Sequence, residues 1–356
     1  MHRLKFAFAV VLTAIFFCMG CASENETKAE TIPQENYRSE TPQLPRQELI
    51  VYSSPEKYSY EDLLHDIKIL RETYPTQIQV VKLCDTIDGR GVYDIVLGDP
   101  NSENQILIFG AMHAREYITT QIVMRQLCES IDAVNGGGTY RGISVAELFQ
   151  GLTIHFVPNS NPDGVAISQF GLSAVKNDSI RSRVSAMNTG DLEQWKANAN
   201  GVDLNRNFDA DWNEFVGSPA PAPDRYKGTY PGSEPEAAAL ISLTQNSHIK
   251  RAISYHTCGA LIYWYFKQSG QILDESKKFA EDISAVTNYY LDDDYTAVDA
   301  AGYKDWAVYK LGIPSITIET GGENGDIVNP VPQSRFNGIW ERNKNVVYAT
   351  AYNLKY

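Results

Sequence analysis

From residue 57 the stretch "KYSYEDLLHDIKILRETYP" spaces Leu63, Leu64, Ile67 and Leu70 along one helical face and stops at Pro75. That is the period of an amphipathic helix ended by a residue that cannot continue it. "IQVVKL" and "YDIVLG" then flank "DGRG", which predicts strand, turn, strand. Short apolar runs alternate with helical patterns after that: "QILIFG", "YITTQIVMRQLCESI", "LTIHFVP", "RAISYH", "ESKKFAEDISAVTNYY", "PSITIET" and "FNGIWERNKNVVYATAYNL". Strands that read as unbroken apolar runs between helices are buried on both faces, so the pattern predicts an α/β domain with a mostly parallel, helix-covered sheet. "SEPE" has the spacing of a capping box, Ser233 to Glu236, opening the helix "AAALISLTQ". No break after residue 50 reads as a linker, and residues 49–356 are expected to form one domain. Within it, 171–232 carries Gly, Pro and Asn throughout and is expected to run over the surface as functional loops.

The amino terminus has a different character. Arg3 and Lys5 precede the apolar run "FAFAVVLTAIFFCMG" and then Cys21, so residues 1–21 read as a secretory signal. Gly20-Cys21 has the form of a bacterial lipobox, although Cys18 is unusual three positions before the modified cysteine; cleavage after Ala22 is the alternative. Residues 22–48, rich in Glu, Thr, Pro, Gln and Ser, read as a flexible linker. The expected location is secreted or at the cell surface as a lipoprotein, with membrane contact only through a lipid on Cys21. A formal charge of −13 argues against the basic face that nucleic acid requires. Beyond the signal, Cys84, Cys128 and Cys258 are odd in number and far apart, which argues against a disulfide framework or a zinc knot.

In open α/β sheets ligands bind beyond the carboxyl ends of the strands, and the unusual polar residues fall there. His113 and Glu116 follow "ILIFG", Asn161 and Asp163 follow "LTIHFVP", His256 ends "RAISYH", and Glu319 ends "SITIE". Two imidazoles and a carboxylate make a catalytic zinc set with a fourth position for water, and a further carboxylate is needed to take that water's proton. His113, Glu116 and His256 are therefore candidate ligands of one Zn2+ per chain, with Glu319 the candidate base. A lone His-x-x-Glu is a weak signal, and it is the common placement of the four residues that carries the reading. His155, inside "TIHFV", is expected to be a core or supporting group, and Cys258 an inert thiol. In "GVDLNRNF", Arg206 offers a planar fork for a carboxylate, and Asn205 beside it can add a donor.

With these residues assembled, positions 57 to 356 resemble the zinc carboxypeptidase family of the carboxypeptidase A and B type. The motifs are "HARE" (113–116), "NPDG" (161–164), "GVDLNRNF", "YPGSEPE" (230–236), "SYH" (254–256), "GYKDW" (302–306) and "ITIET" (316–320). The resemblance implies a single three-layer α/β/α domain with a mixed, mostly parallel eight-stranded sheet. It implies zinc on His113, Glu116 and His256, and Glu319 as base and then proton donor to the leaving amine. It also implies that Arg115 holds substrate and that Asn205 with Arg206 binds a free carboxylate beside the scissile bond.

Three positions depart from the family's pattern. Lys196, next to Trp195 in "WKAN", stands where an arginine usually meets the developing oxyanion, and is a point charge without a bidentate fork. The substrate-capping tyrosine has no clear counterpart, with Ala297 near the place and Tyr295 two residues early. Lys304 falls at the floor of the specificity pocket, where an unpaired ammonium would select an acidic side chain. "WKANANGVDLNR", "YHTCGALIYWYF" and "GYKDW" look more like the bacterial branch that cleaves γ-D-glutamyl-diaminopimelate bonds of cell-wall peptides than like digestive carboxypeptidases. The expected activity is hydrolysis of that bond in a muropeptide substrate. Two alternatives are removal of C-terminal, acidic residues from ordinary peptides, and a non-catalytic surface binding protein with the same fold.

Overall fold

The computed structural model describes residues 42–188, 190–292, 294, 300–323 and 325–356. The signal, the lipidation and the two positions considered for the capping tyrosine, Tyr295 and Ala297, lie outside the described residues.

Helix α1 (Tyr60–Thr73) starts where Ser59 and Asp62 cap each other, the Asp62 amide donating to Ser59 Oγ at 3.1 Å and the Ser59 amide to Asp62 Oδ2 at 2.9 Å. Of its predicted face Leu63, Ile67 and Leu70 are buried and Leu64 is half-buried. Asp66 is buried among them because it accepts the amides of Ile50 and Val51 and the Tyr58 hydroxyl, at 2.7 to 2.8 Å. This carboxylate ties the preceding segment to the domain. Leu44 and Leu49 are buried as well, and Arg46 pairs with Glu129 and Asp132. The linker boundary at residue 48 is therefore corrected: residues 42–48 belong to the domain, held by two leucines and one arginine that their polar neighbours masked.

Strands β1 (Ile78–Asp85), β2 (Gly91–Gly98) and β3 (Gln105–Phe109) follow, then α2 (Ile118–Gly136), the two-stranded ribbon β4 (Thr139–Tyr140) with β5 (Ile143–Ser144), and α3 (Val145–Phe149). Next come β6 (Thr153–Val157), α4 (Pro162–Phe170), α5 (Asp178–Met187), α6 (Pro235–Asn246), β7 (Ile249–Thr257), β8 (Leu261–Tyr263), α7 (Gln271–Thr287) and β9 (Tyr290–Leu291). The chain closes with α8 (Tyr303–Lys310), β10 (Ser315–Thr320), α9 (Phe336–Asn343) and α10 (Val346–Lys355). Eight strands form one sheet in the order β1-β2-β6-β3-β7-β10-β8-β9. The central four, β6, β3, β7 and β10, are mutually parallel, while β1 and β2 are antiparallel on one flank and β8 is antiparallel to β10 on the other.

Each central strand is buried on both sides, as its unbroken apolar run predicts. Ile106 and Ile108 of β3 pack with α2, α7, α9 and α10, whereas Leu107 and Phe109 pack with α6 and α8. These are the three layers. His155 is a core group, lying between Asp94 Oδ2 at 2.7 Å and Gln105 Oε1 at 2.9 Å. Among the described residues no helix is long and apolar enough to cross a membrane.

Two local expectations are corrected. The capping box at Ser233 does not form, because Pro235 takes the first turn of α6 and makes Glu234 the N-cap, with no side-chain cap. Ser233 instead donates to Glu234 Oε1 and accepts from Asn207, while Glu236 is buried against Asn198. Nor does 171–232 stay on the surface. It contains α5, and Trp195, Ala197, Ala199, Val202, Leu204, Phe208 and Ala210 are buried within it. Irregular backbone enters the interior here because its polar groups are paired, as in Asn198 N to Val202 O at 2.9 Å and Asp203 N to Tyr226 O at 2.8 Å.

Candidate active site

Strands β3, β7 and β10 are adjacent and parallel, so their carboxyl ends meet at one edge of the sheet. Glu319 of β10 lies in register with His256 of β7, and a single 3₁₀ turn after β3, Ala114–Glu116, carries the other two groups. His113 Nδ1 and His256 Nδ1 approach to 3.0 Å, and the two oxygens of Glu116 lie 2.8 Å from the first and 2.9 Å from the second. All three side chains are buried. Burial alone would raise the Glu116 carboxyl, but His113 and His256 outweigh it and hold it well below the usual range. Two imidazole nitrogens and a carboxylate converging in a buried spot form a donor set that suits zinc, and no other group of three or more His, Cys, Asp or Glu among the described residues can hold a metal.

The set is braced from behind. The Glu116 carbonyl accepts the Thr119 hydroxyl at 2.7 Å and its Oε2 accepts the Thr257 amide at 3.1 Å. Asp203, fully buried, places Oδ1 3.2 Å from His113 Nε2 and Oδ2 3.0 Å from Lys196 Nζ. A carboxylate behind a ligating imidazole fixes its ring and raises its basicity. Asp203 shares the "GVDLNRNF" motif with Asn205 and Arg206, and the fold turns it toward His113.

A cavity of roughly 570 Å³ opens over these groups. It is lined by His113, Arg115, Glu116, Lys196, Asn205, Arg206, Lys304 and Glu319, and by Thr257, the chain neighbour of His256. Glu319 is pushed up to about 7 by burial and then by the charge of Glu116, against His256, Lys196 and Arg115. Asn205 Oδ1 accepts the Tyr303 amide at 3.0 Å, and Arg206, nearly buried, packs its guanidinium 5.1 Å from the Phe215 ring centre. Cys258 is half-buried on the wall, and burial pushes its thiol up, away from a reactive thiolate.

Three expectations change. Lys304 reaches the cavity, but its ammonium is already paired with Asp305 and donates to the Tyr265 carbonyl at 2.7 Å, so it does not demand an acidic partner. Lys196 is likewise held, between Asp203 and Asp224 Oδ1 at 3.1 Å. Asn161 and Asp163 stand at a strand end without joining the site. Asn161 caps α4 and donates to the carbonyls of Met112 and Ala197, and Asp163 pairs with buried Arg90.

A three-layer sheet with a His-Glu-His set at the strand ends and an unliganded carboxylate beside it defines a metal-dependent hydrolase. Residues 63–346 match the family described as zinc carboxypeptidase, and the chain belongs to that family. It is a zinc-dependent peptidase. The chain is 33% identical over 301 residues to the gamma-D-glutamyl-L-diamino acid endopeptidase 1 of Lysinibacillus sphaericus, across 83% of this chain and 73% of that protein. The fold is that of carboxypeptidase A from Helicoverpa armigera (TM-score 0.65, 16% identity, 83% of this chain and 73% of that one). It is also that of bovine thrombin-activatable fibrinolysis inhibitor (TM-score 0.64, 20% identity, 85% and 98%).

Proposed function

We propose that this protein hydrolyses the amide bond between a γ-D-glutamyl residue and diaminopimelate, or another diamino acid, in cell-wall peptides. The observation that carries the reading is the charge pattern of the cavity. The cavity is lined by the cations Arg115 and Arg206 together with the carboxylates Asp292 and Asp294, while Lys304 is paired with Asp305 and Lys196 with two carboxylates. A cavity offering both signs suits an acceptor residue that bears a free carboxylate and an ammonium. The name of the Lysinibacillus sphaericus relative points the same way.

His113, Glu116 and His256 would hold the zinc ion, which when bound polarises the scissile carbonyl and makes water acidic enough to react near neutral pH. Glu319 would take the proton from that water and return it to the leaving amine. Arg206, with Asn205, would grip the free carboxylate and so fix which amide reaches the site. The four groups a non-catalytic protein would be expected to lose, His113, Glu116, His256 and Glu319, are all in place. The export-type amino terminus and Cys21 support a surface location where such peptides occur.

Removal of C-terminal residues from ordinary peptides is the second reading, favoured by Asn205 and Arg206, which suit any terminal carboxylate. Mass spectrometry of products from muropeptides and from unblocked peptides, each with and without a chelator, separates the two. Chelator-sensitive release of diaminopimelate-containing fragments is expected, and products from ordinary peptides alone would sink the cell-wall reading.

A further inference from the structure

Lys196 lines the cavity, and the family resemblance assigns its position to the cation that meets the negative charge developing on the attacked carbonyl oxygen. Its surroundings leave it poorly equipped. Its ammonium sits 3.0 Å from Asp203 and 3.1 Å from Asp224, and both carboxylates are fixed by backbone. The Lys196 and Ala197 amides donate to Pro223 O at 3.0 and 2.9 Å, which sets Asp224 beside the lysine, and the Asp203 amide donates to Tyr226 O. The Lys196 carbonyl accepts the Ala114 amide at 3.0 Å, one residue from a metal ligand. An ammonium between two anions carries little net field toward a third group. To follow the oxyanion it would leave Asp203, fully buried, without its cation, which is the costly direction for a buried pair.

Arg115 lines the same cavity in the opposite condition. It lies in the 3₁₀ turn between His113 and Glu116, and its one hydrogen bond among the described residues is a long 3.4 Å contact from Nη1 to the Gln194 carbonyl. Its Nε is buried with no hydrogen-bond partner, although an unmet donor of this kind costs stability. Its charge reaches Glu319, whose carboxyl it helps to lower. A guanidinium at the cavity, held by one long hydrogen bond and tethered between two metal ligands, is preorganised for charge that appears only during reaction.

We propose that Arg115 is the catalytic cation that stabilises the oxyanion, and that Lys196 is a positioning residue acting on His113 through Asp203. The proposal rests on amide hydrolysis by this family and not on which amide is cut, so the test uses whichever substrate the wild-type full-length holoenzyme turns over. Arg115→Met, Arg115→Lys, Lys196→Met and Lys196→Arg are compared at saturating zinc, with zinc content measured for each. Arg115→Met should lower kcat by about 100- to 1000-fold with KM changed less than about threefold, the loss of one oxyanion donor. Arg115→Lys should recover part of it. Lys196→Met should lower kcat by less than about tenfold. Affinity for a phosphinate transition-state analogue should fall in parallel with kcat/KM across the Arg115 variants.

A large kcat loss in zinc-loaded Lys196→Met, with Arg115→Met changing mainly KM, would overturn the assignment. So would analogue affinity that follows Lys196 and ignores Arg115. Should Lys196→Met not fold, Lys196→Arg and the Arg115 series still decide, since full analogue affinity in Arg115→Met contradicts the proposal by itself. A wild type active on ordinary peptides alone would count against the cell-wall reading and leave this comparison intact.

Discussion

Asp305 pairs with the ammonium of its chain neighbour Lys304 through one oxygen, while its other oxygen accepts the Gly302 amide at 3.0 Å and starts α8. The lysine at the pocket floor is thereby neutralised by the residue that builds the floor.

Replacing Lys304 by Ala should therefore leave the preference between acidic and neutral side chains within about threefold. Asp305→Asn, whose side-chain oxygen can still cap Gly302, frees the ammonium and should raise acceptance of an acidic side chain on the order of tenfold. Ratios of kcat/KM for paired substrates measure both, and a large loss of acidic preference in Lys304→Ala would refute the pairing argument.

The proposed base Glu319 would act in its ionised form, and burial with Glu116 raises its carboxyl above the ordinary 4.5, to about 7. The ionised fraction is lost as pH falls through that raised value. The acid limb of kcat/KM should accordingly have its midpoint above 4.5 and no higher than about 7, because a bound dication acts with His256, Lys196 and Arg115 to lower it. Glu319→Gln should remove the limb together with about 100- to 10,000-fold of activity.

Buried Glu236 is pushed up to about 8 by burial, with Asp163 and Glu234 adding to it, against an ordinary 4.5. The folded form keeps the proton that the unfolded chain releases between those values. Its contribution to stability is complete below about 4.5 and is lost as pH rises through about 8. Thermal unfolding at pH 5, 7 and 9 should show Tm falling with pH, and Glu236→Gln should flatten that slope; an unchanged slope would rule out a protonated Glu236.

Asp203→Asn removes the charged acceptor behind His113. Zinc affinity, read by competition with a chromophoric chelator, should fall about 10- to 100-fold, as for other partners of metal-bound histidines. Affinity equal to that of the wild type would mean that Asp203 serves Lys196 alone.

The strand ends were readable because each strand is an unbroken apolar run, so the first polar residue after it marks the rim. His113, Glu116, His256 and Glu319 are all found that way, and the layered sheet follows from the same runs. Asn161 and Asp163 satisfied that rule and still went to structural work, since position at the rim does not say where a side chain turns. The clamps on Lys196 could not be read, because Asp203 and Asp224 reach it only through turns that pattern does not encode. Asp305 could have been: a carboxylate beside Lys304 in sequence is a warning that its charge is shared. The burial of 195–210 was hidden for another reason, as glycine and asparagine there serve internal pairing and not solvent exposure.

Ile78 lies across from Leu97, which lies across from Ile154, and Ile154 pairs with Ile106, so β1 begins beside the amino ends of the central strands. Tyr74, just before β1, donates its hydroxyl to the Pro42 carbonyl at 3.2 Å. The chain thus joins the domain at the pole opposite the catalytic mouth. An attachment made at residue 42 itself would therefore meet the domain on the side away from its opening.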